Sequence, residues 1–210
     1  MIWYACYGSN MDYERFLKYI QGGQLIVNNK TKEYKACPTD VKPPEQSEPY
    51  SIDRRLFFAK ESNTWNQHGV AFISNKRNKN SKTFAKLYLI SEDQFSHLFA
   101  QENGRSNVRI DYKHLFENGY LDFDYNFYNR ILVIEKNHKG FPVLTFTNKS
   151  KLLPNKPFVE YASLIINSLI STHNLTTKEA FDYIVRNDTG ASRKDLKEKL
   201  YQHKMEIEIS

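Results

Sequence analysis

The first twenty-three residues constrain the fold more than any other stretch. Ile2-Trp3-Tyr4-Ala5-Cys6-Tyr7 is an unbroken apolar and aromatic run, which reads as a strand, and it passes straight into Gly8-Ser9-Asn10, which has turn chemistry. A helix is expected over roughly 11–20. Asn10 with Glu14 can cap it, Met11, Phe16, Leu17 and Ile20 fall on one face, and Gly22-Gly23 stop it. A glycine loop between a strand end and a helix start points backbone N–H groups outward beside the positive end of the helix dipole, where a carboxylate or an oxyanion can be held. The same four residues, Tyr7-Gly8-Ser9-Asn10, also serve as a plain turn, and local reasoning leaves both readings open.

The rest of the chain alternates in character. Residues 28–50 are polar and hold four of the seven prolines (Pro38, Pro43, Pro44, Pro49), so they read as an irregular excursion suited to a loop or lid. Runs at 55–59, 68–73 and 84–90 read as successive strands of a meander. Ser91 followed by Glu92 and Asp93 starts a helix that carries Phe95, Leu98 and Phe99 and ends near Asn103-Gly104. Strict alternation over 121–127 predicts a strand with one wet face, and further strands are expected at 130–135 and 141–147. After Pro157 the apolar residues Tyr161, Leu164, Ile165 and Leu169 recur at helical spacing, with later helices expected over 177–185 and 192–203. The 210 residues, 40% of them hydrophobic, suffice for one globular core, and the order of elements makes the fold class α+β with no internal repeat.

Composition and motifs narrow the chemistry. Thirty basic against 24 acidic residues leave a net charge of +6, which favours an anionic partner without identifying it. Cys6 and Cys37 are too few for a disulfide scaffold, and neither a signal peptide nor a membrane span is visible, so a cytoplasmic protein is expected. No HExxH, P-loop, GxSxG or CxxC pattern occurs, and the six histidines lack metal-ligand spacing, so no metal site is expected. Glu102 stands out because an acid in the last turn of a helix faces the negative end of the dipole. Burial beside Phe99 would disfavour its charge further, in the direction a general base needs. By itself it is equally an ordinary surface glutamate. The aromatic stretch from Tyr112 to Tyr128 could stack bases, but Asp122 and Asp124 on its other face would repel phosphate, which sets nucleic acid aside as a partner. The basic residues between Arg186 and Lys199 alternate with acids and read as a solvated helix face.

Three of these pieces, taken in order, resemble the γ-glutamylcyclotransferase-like family. They are Tyr7-Gly8-Ser9-Asn10-Met11 after a first strand, the acid in Gln101-Glu102-Asn103-Gly104 after the strand that ends at Ile90, and Pro157-Phe158-Val159-Glu160-Tyr161 at the start of a late helix. The resemblance implies a mixed β-barrel or sheet with flanking helices. It assigns residues 1–170 to the cyclotransferase-like domain, with 28–50 as a Pro-rich loop, and 171–210 to a C-terminal helical extension packed on it. It also implies release of 5-oxoproline and an amine from a γ-glutamyl compound, with Glu102 catalytic, with Tyr7, Gly8, Ser9, Asn10 and Tyr161 binding the substrate, and with no metal or other cofactor. The sequence departs from the family pattern where Asn103 separates Glu102 from Gly104, in the length of 28–50 and in the helical tail. A non-catalytic protein that binds a small ligand on the same fold is the alternative reading.

Overall fold

The computed structural model describes residues 1–27 and 30–187, together with 198, 200 and 202. In chain order the elements are β1 (Ile2–Cys6), a 3₁₀ turn (Ser9–Met11), α1 (Tyr13–Gln21), β2 (Gly22–Val27), β3 (Lys30–Ala36), β4 (Ser47–Ile52) and β5 (Leu56–Ser62). A second 3₁₀ turn (Asn63–Trp65), β6 (His68–Ile73), β7 (Thr83–Ile90), α2 (Glu92–Glu102), α3 (Tyr112–Asn118) and β8 (Tyr120–Asp122) follow. The chain continues through β9 (Arg130–His138), β10 (Phe141–Thr147), α4 (Val159–His173) and α5 (Thr177–Asn187). Glu198, Leu200 and Gln202 are helical, and the remainder of the helix expected over 192–203 lies outside the described residues, as do Asn28 and Asn29.

Six strands form one sheet in the order β4-β7-β1-β10-β9-β8. β1 lies inside it, parallel to β10 and antiparallel to β7, and all five of its residues are buried. A continuous apolar run suits a strand covered on both faces, which is why the opening residues read so clearly. Tyr4 is the hub of the aromatic core: its ring stacks on Phe146 at 5.4 Å and meets Phe16 of α1 at 6.2 Å and Phe95 of α2 at 5.8 Å. Phe16 in turn lies 4.0 Å from the Tyr88 ring of β7. Offset aromatic pairs of this kind add roughly 0.5–1.5 kcal/mol each beyond their buried area.

Several expectations need correction. The segment 28–50 is not an irregular excursion: β2 and β3 form a hairpin, β4 is an edge strand of the main sheet, and only the stretch between Cys37 and Gln46 lacks regular structure. Pro49 is compatible with β4 because an edge strand leaves one row of N–H positions unused. The strands at 55–90 do not form a meander. β5 and β6 make a separate hairpin, while β7 joins β1 and β4 in the main sheet. No ladder among the described residues closes the sheet into a barrel. The β5–β6 hairpin meets β10 through Thr147, whose hydroxyl donates to the Ile73 carbonyl at 2.7 Å.

The alternation at 121–127 ends as a strand at Asp122, which accepts two hydrogen bonds from Arg130. Beyond it the chain loops so that Phe123 and Tyr125 pack against Phe99 at 4.9 and 5.9 Å, and Phe127 against Phe72 at 5.7 Å. Alternation here serves loop packing on α2 and β6 rather than a ladder. Helix α3 was not anticipated, although Asp111 caps it by accepting from the His114 N–H. The first helix begins at Tyr13, with Asp12 accepting from the Arg15 N–H at 2.8 Å, so the expected Asn10 cap is replaced and the Asn10 side chain is free for other work. No helix among the described residues is long and apolar enough to cross a membrane.

The segment 154–157 runs beside the β5–β6 hairpin, bridging Ala59 to Pro154 and Gly69 to Pro157. Gly69 donates its N–H to the Lys156 carbonyl at 2.8 Å, and a Cβ there would collide with the Asn155 backbone. Gly69→Ala is therefore expected to destabilise the fold by about 2 kcal/mol or more, because backbone on both sides leaves no side chain to give way. Urea denaturation measures this, and a midpoint equal to that of the wild type would show that the segment can move aside.

Candidate active site

A cavity of about 360 Å³ opens where the Gly8–Asn10 loop, the end of α2, the β5–β6 hairpin and the start of α4 converge. Tyr7, Gly8, Ser9, Asn10, Glu102 and Tyr161 all line it, so the fold brings every residue singled out in the sequence to one place. Ser9 and Asn10 lie in the 3₁₀ turn and are buried despite being polar.

Glu102 is the last residue of α2 and only partly exposed. Its Oε1 accepts from Asn10 Nδ2 at 2.8 Å, so the acid reaches the loop directly. The residue after it is part of the reason. Asn103 caps the helix, donates to the Phe99 carbonyl at 3.0 Å and accepts from the Tyr128 N–H at 2.9 Å, tying the helix end to the aromatic loop. Gln101 donates to the Tyr19 carbonyl and accepts from the Lys35 N–H, binding the same turn to α1 and β3. The inserted Asn103 anchors the turn that carries the carboxylate. Gly104, at φ +65, then turns the chain away.

Tyr161 approaches from α4. Its hydroxyl accepts from the Ala71 N–H at 3.0 Å and also lies in hydrogen-bonding contact with the Ser9 backbone, so its own proton is left to point into the cavity. Burial pushes this hydroxyl up to about 12, partly opposed by the Ala71 N–H, and it remains a donor at neutral pH. Tyr7 differs. Its hydroxyl donates to the Phe146 carbonyl at 2.6 Å, so it contributes a ring wall while its proton is already engaged. Gly8 is required by proximity rather than by a special backbone angle, since an added Cβ would lie 2.9 Å from the Tyr161 hydroxyl.

Other residues at the site were missed in the sequence. Trp65 is buried, lines the cavity and packs 5.1 Å from the Tyr161 ring. His68 instead packs on Phe158 and is not among the lining residues. Tyr19 lines the cavity, and its hydroxyl, a hydrogen-bond neighbour of Glu102, is raised well above the phenol range by burial and then by the Glu102 charge. Arg15 and Lys32 also face the cavity. The signal for Arg15 was present: it falls one turn before Tyr19 and beside Phe16, a charged residue on the apolar side of α1.

No family model matches the chain. Among curated proteins it is 34% identical over 204 residues, 87% of its own length, to "Histone deacetylase 5" of Arabidopsis thaliana, and it spans only 30% of that protein. Among solved structures it superposes on "Gamma-glutamyl cyclotransferase" with a TM-score of 0.50 and 12% identity, covering 96% of this chain and 98% of that one. An uncharacterized protein from Homo sapiens matches equally, with a TM-score of 0.50, 12% identity and coverage of 95% and 98%. The fold is therefore an α+β sheet with helices built around a loop-and-carboxylate cavity. That fold is shared with the solved γ-glutamyl cyclotransferase.

Proposed function

We propose that the chain is a γ-glutamylcyclotransferase-type enzyme that converts a γ-glutamyl compound to 5-oxoproline and a free amine. The observation that carries the reading is the Glu102 carboxylate hydrogen-bonded to Asn10 of the glycine loop across a substrate-sized cavity. The reaction is an intramolecular aminolysis, so the protein's main task is to hold the glutamyl chain in its ring-closing conformer. Glu102 takes a proton from the α-ammonium. The amine nitrogen attacks the γ-carbonyl carbon and gives up a second proton as the lactam forms, the C–N bond to the departing amine breaks, and that nitrogen takes both protons and leaves as an ammonium.

The loop and its surroundings suit the remaining charges. Asn10 Oδ1 is buried with no hydrogen-bond partner, an acceptor that an α-ammonium would satisfy beside Glu102. In this reading the Gly8 and Asn10 N–H groups hold the α-carboxylate, while Ser9, whose backbone meets the Tyr161 hydroxyl, helps aim that hydroxyl at the oxygen that becomes negative during attack. Residues 1–170 form the catalytic domain in this reading and 171–210 an extension, whose α5 packs against it where the Tyr183 hydroxyl accepts from the Phe84 N–H at 3.1 Å.

The test is incubation with γ-glutamyl dipeptides, γ-glutamylamines and glutathione while 5-oxoproline is quantified. Stoichiometric release of 5-oxoproline and amine is the expected result. Saturable binding of these compounds with no release would instead identify a ligand-binding protein on this fold.

A further inference from the structure

Arg15 is 5% exposed, yet among the described residues it makes no ion pair, and its Nε is buried without a hydrogen-bond partner. Its guanidinium sits 5.4 Å over the Trp65 ring, inside the cavity lining. A buried guanidinium without a direct ion pair is costly, and the fold holds this one in a cavity lining where a ligand carboxylate can satisfy it. The Glu102 carboxylate, hydrogen-bonded to Asn10, acts on the guanidinium through space across the cavity without an ion-pair contact.

A second cleft, of about 430 Å³, adjoins the first and shares Tyr19, Lys32, Gln101 and Gly104 with it. Lys32 stands at the junction with its Nζ 4.8 Å over the Tyr34 ring. Lys35 and Arg105 line the cleft beyond it, while its one carboxylate among the described residues, Glu33, accepts from Gln24. Glu61, exposed in the β5–β6 hairpin, lines the first cavity and not this cleft. Arg15 and Lys32 of the first cavity, both within electrostatic reach of Glu102, are thus joined by Lys35 and Arg105 in the adjoining cleft.

We propose that this cleft receives the departing half of the substrate and that this half is acidic: an amino acid or short peptide with its main-chain carboxylate against Arg15 and a second carboxylate within reach of Lys32, Lys35 and Arg105. The inference rests on the reaction proposed above and specifies its substrate. Exposed cations contribute little singly, so discrimination of the departing side chain depends mainly on the half-buried Lys32, while the buried Arg15 holds the main-chain carboxylate common to all such substrates.

The experiment compares kcat/KM for 5-oxoproline release from γ-glutamylglutamate and γ-glutamylglutamine, which differ only in the charge of the departing side chain. The wild-type chain should favour the acidic dipeptide about tenfold or more, and the Lys32→Gln, Arg105→Gln double variant should lose most of that preference. Arg15→Gln should slow both dipeptides about 10- to 100-fold relative to γ-glutamylbutylamine, whose departing amine has no carboxylate. Should Arg15→Gln fail to fold, Arg15→Lys, which keeps the charge, is expected to retain part of that ratio. Equal turnover of the two dipeptides by the wild type, or a preference that survives the double variant, overturns the proposal. If no compound releases 5-oxoproline, it is the reaction that fails. Calorimetric titration of the same dipeptides into the Glu102→Gln chain then decides recognition by itself: tighter binding of the acidic dipeptide supports the cleft's role, and equal binding refutes it.

Discussion

Glu102→Gln is expected to lower kcat for 5-oxoproline release by about 10²–10⁴-fold, the usual contribution of a positioned general base. The substitution preserves shape and leaves an amide oxygen that can still accept from Asn10 Nδ2, so the cavity should keep its form. What disappears is a group able to take the ammonium proton. KM should therefore change far less than kcat, since the lost interaction belongs mainly to the transition state. Thermal unfolding of the variant should stay close to that of the wild type, because Glu102 sits at a partly exposed helix end and Asn103, Gln101 and Gly104 anchor the turn. A variant that turns over normally would remove Glu102 from the chemistry and leave the fold description intact.

Gly8→Ala should damage both stability and turnover. The new methyl would lie 2.9 Å from the Tyr161 hydroxyl and 3.4 Å from the Ala71 Cβ, and neither neighbour has room to move. Tyr161 is buried, and withdrawing its oxygen breaks the 3.0 Å bond that satisfies the Ala71 N–H. An orphaned buried N–H costs about 1–3 kcal/mol, and overpacking adds a similar amount. For a chain of this size each kcal/mol lowers Tm by roughly 2–4 °C. Turnover should fall about tenfold or more, since the donor that faces the reacting carbonyl is displaced. Adding Tyr161→Phe to Gly8→Ala removes the clashing oxygen, so the second substitution should cost less in the Gly8→Ala background than in the wild type. If Gly8→Ala melts with the wild type, the close approach is not what requires glycine at this position.

How much of this was legible in the sequence differs by element. β1 could be read because a strand buried on both faces needs an unbroken apolar run, and α2 because Ser91 and Gln94 form a capping box that both caps and announces it. The glycine loop and the acid were found from local chemistry joined to a resemblance, and the fold then placed them in hydrogen-bonding contact across 92 residues of chain. The 28–50 segment misled because its polarity and prolines suit both a loop and an exposed hairpin with an edge strand, and partner strands, not composition, choose between them. The stretch 121–127 misled for the converse reason: alternation was real, but the apolar side found Phe99 and Phe72 in place of a neighbouring strand.

By itself, the sequence determined the α+β class, the strand–glycine loop–helix opening, the helix that ends in an acid and the late helix that brings a tyrosine, since each depends on residues close together in the chain. Only the tertiary structure decided that β7 leaves its sequence neighbours for β1, that the Tyr161 hydroxyl accepts from a backbone N–H while the Tyr7 hydroxyl donates to a carbonyl, and that Arg15 lies buried at the cavity without an ion pair among the described residues. Those facts depend on which distant groups occupy the same few ångströms, and a hydrogen bond or an unpaired charge exists only once that neighbourhood has formed.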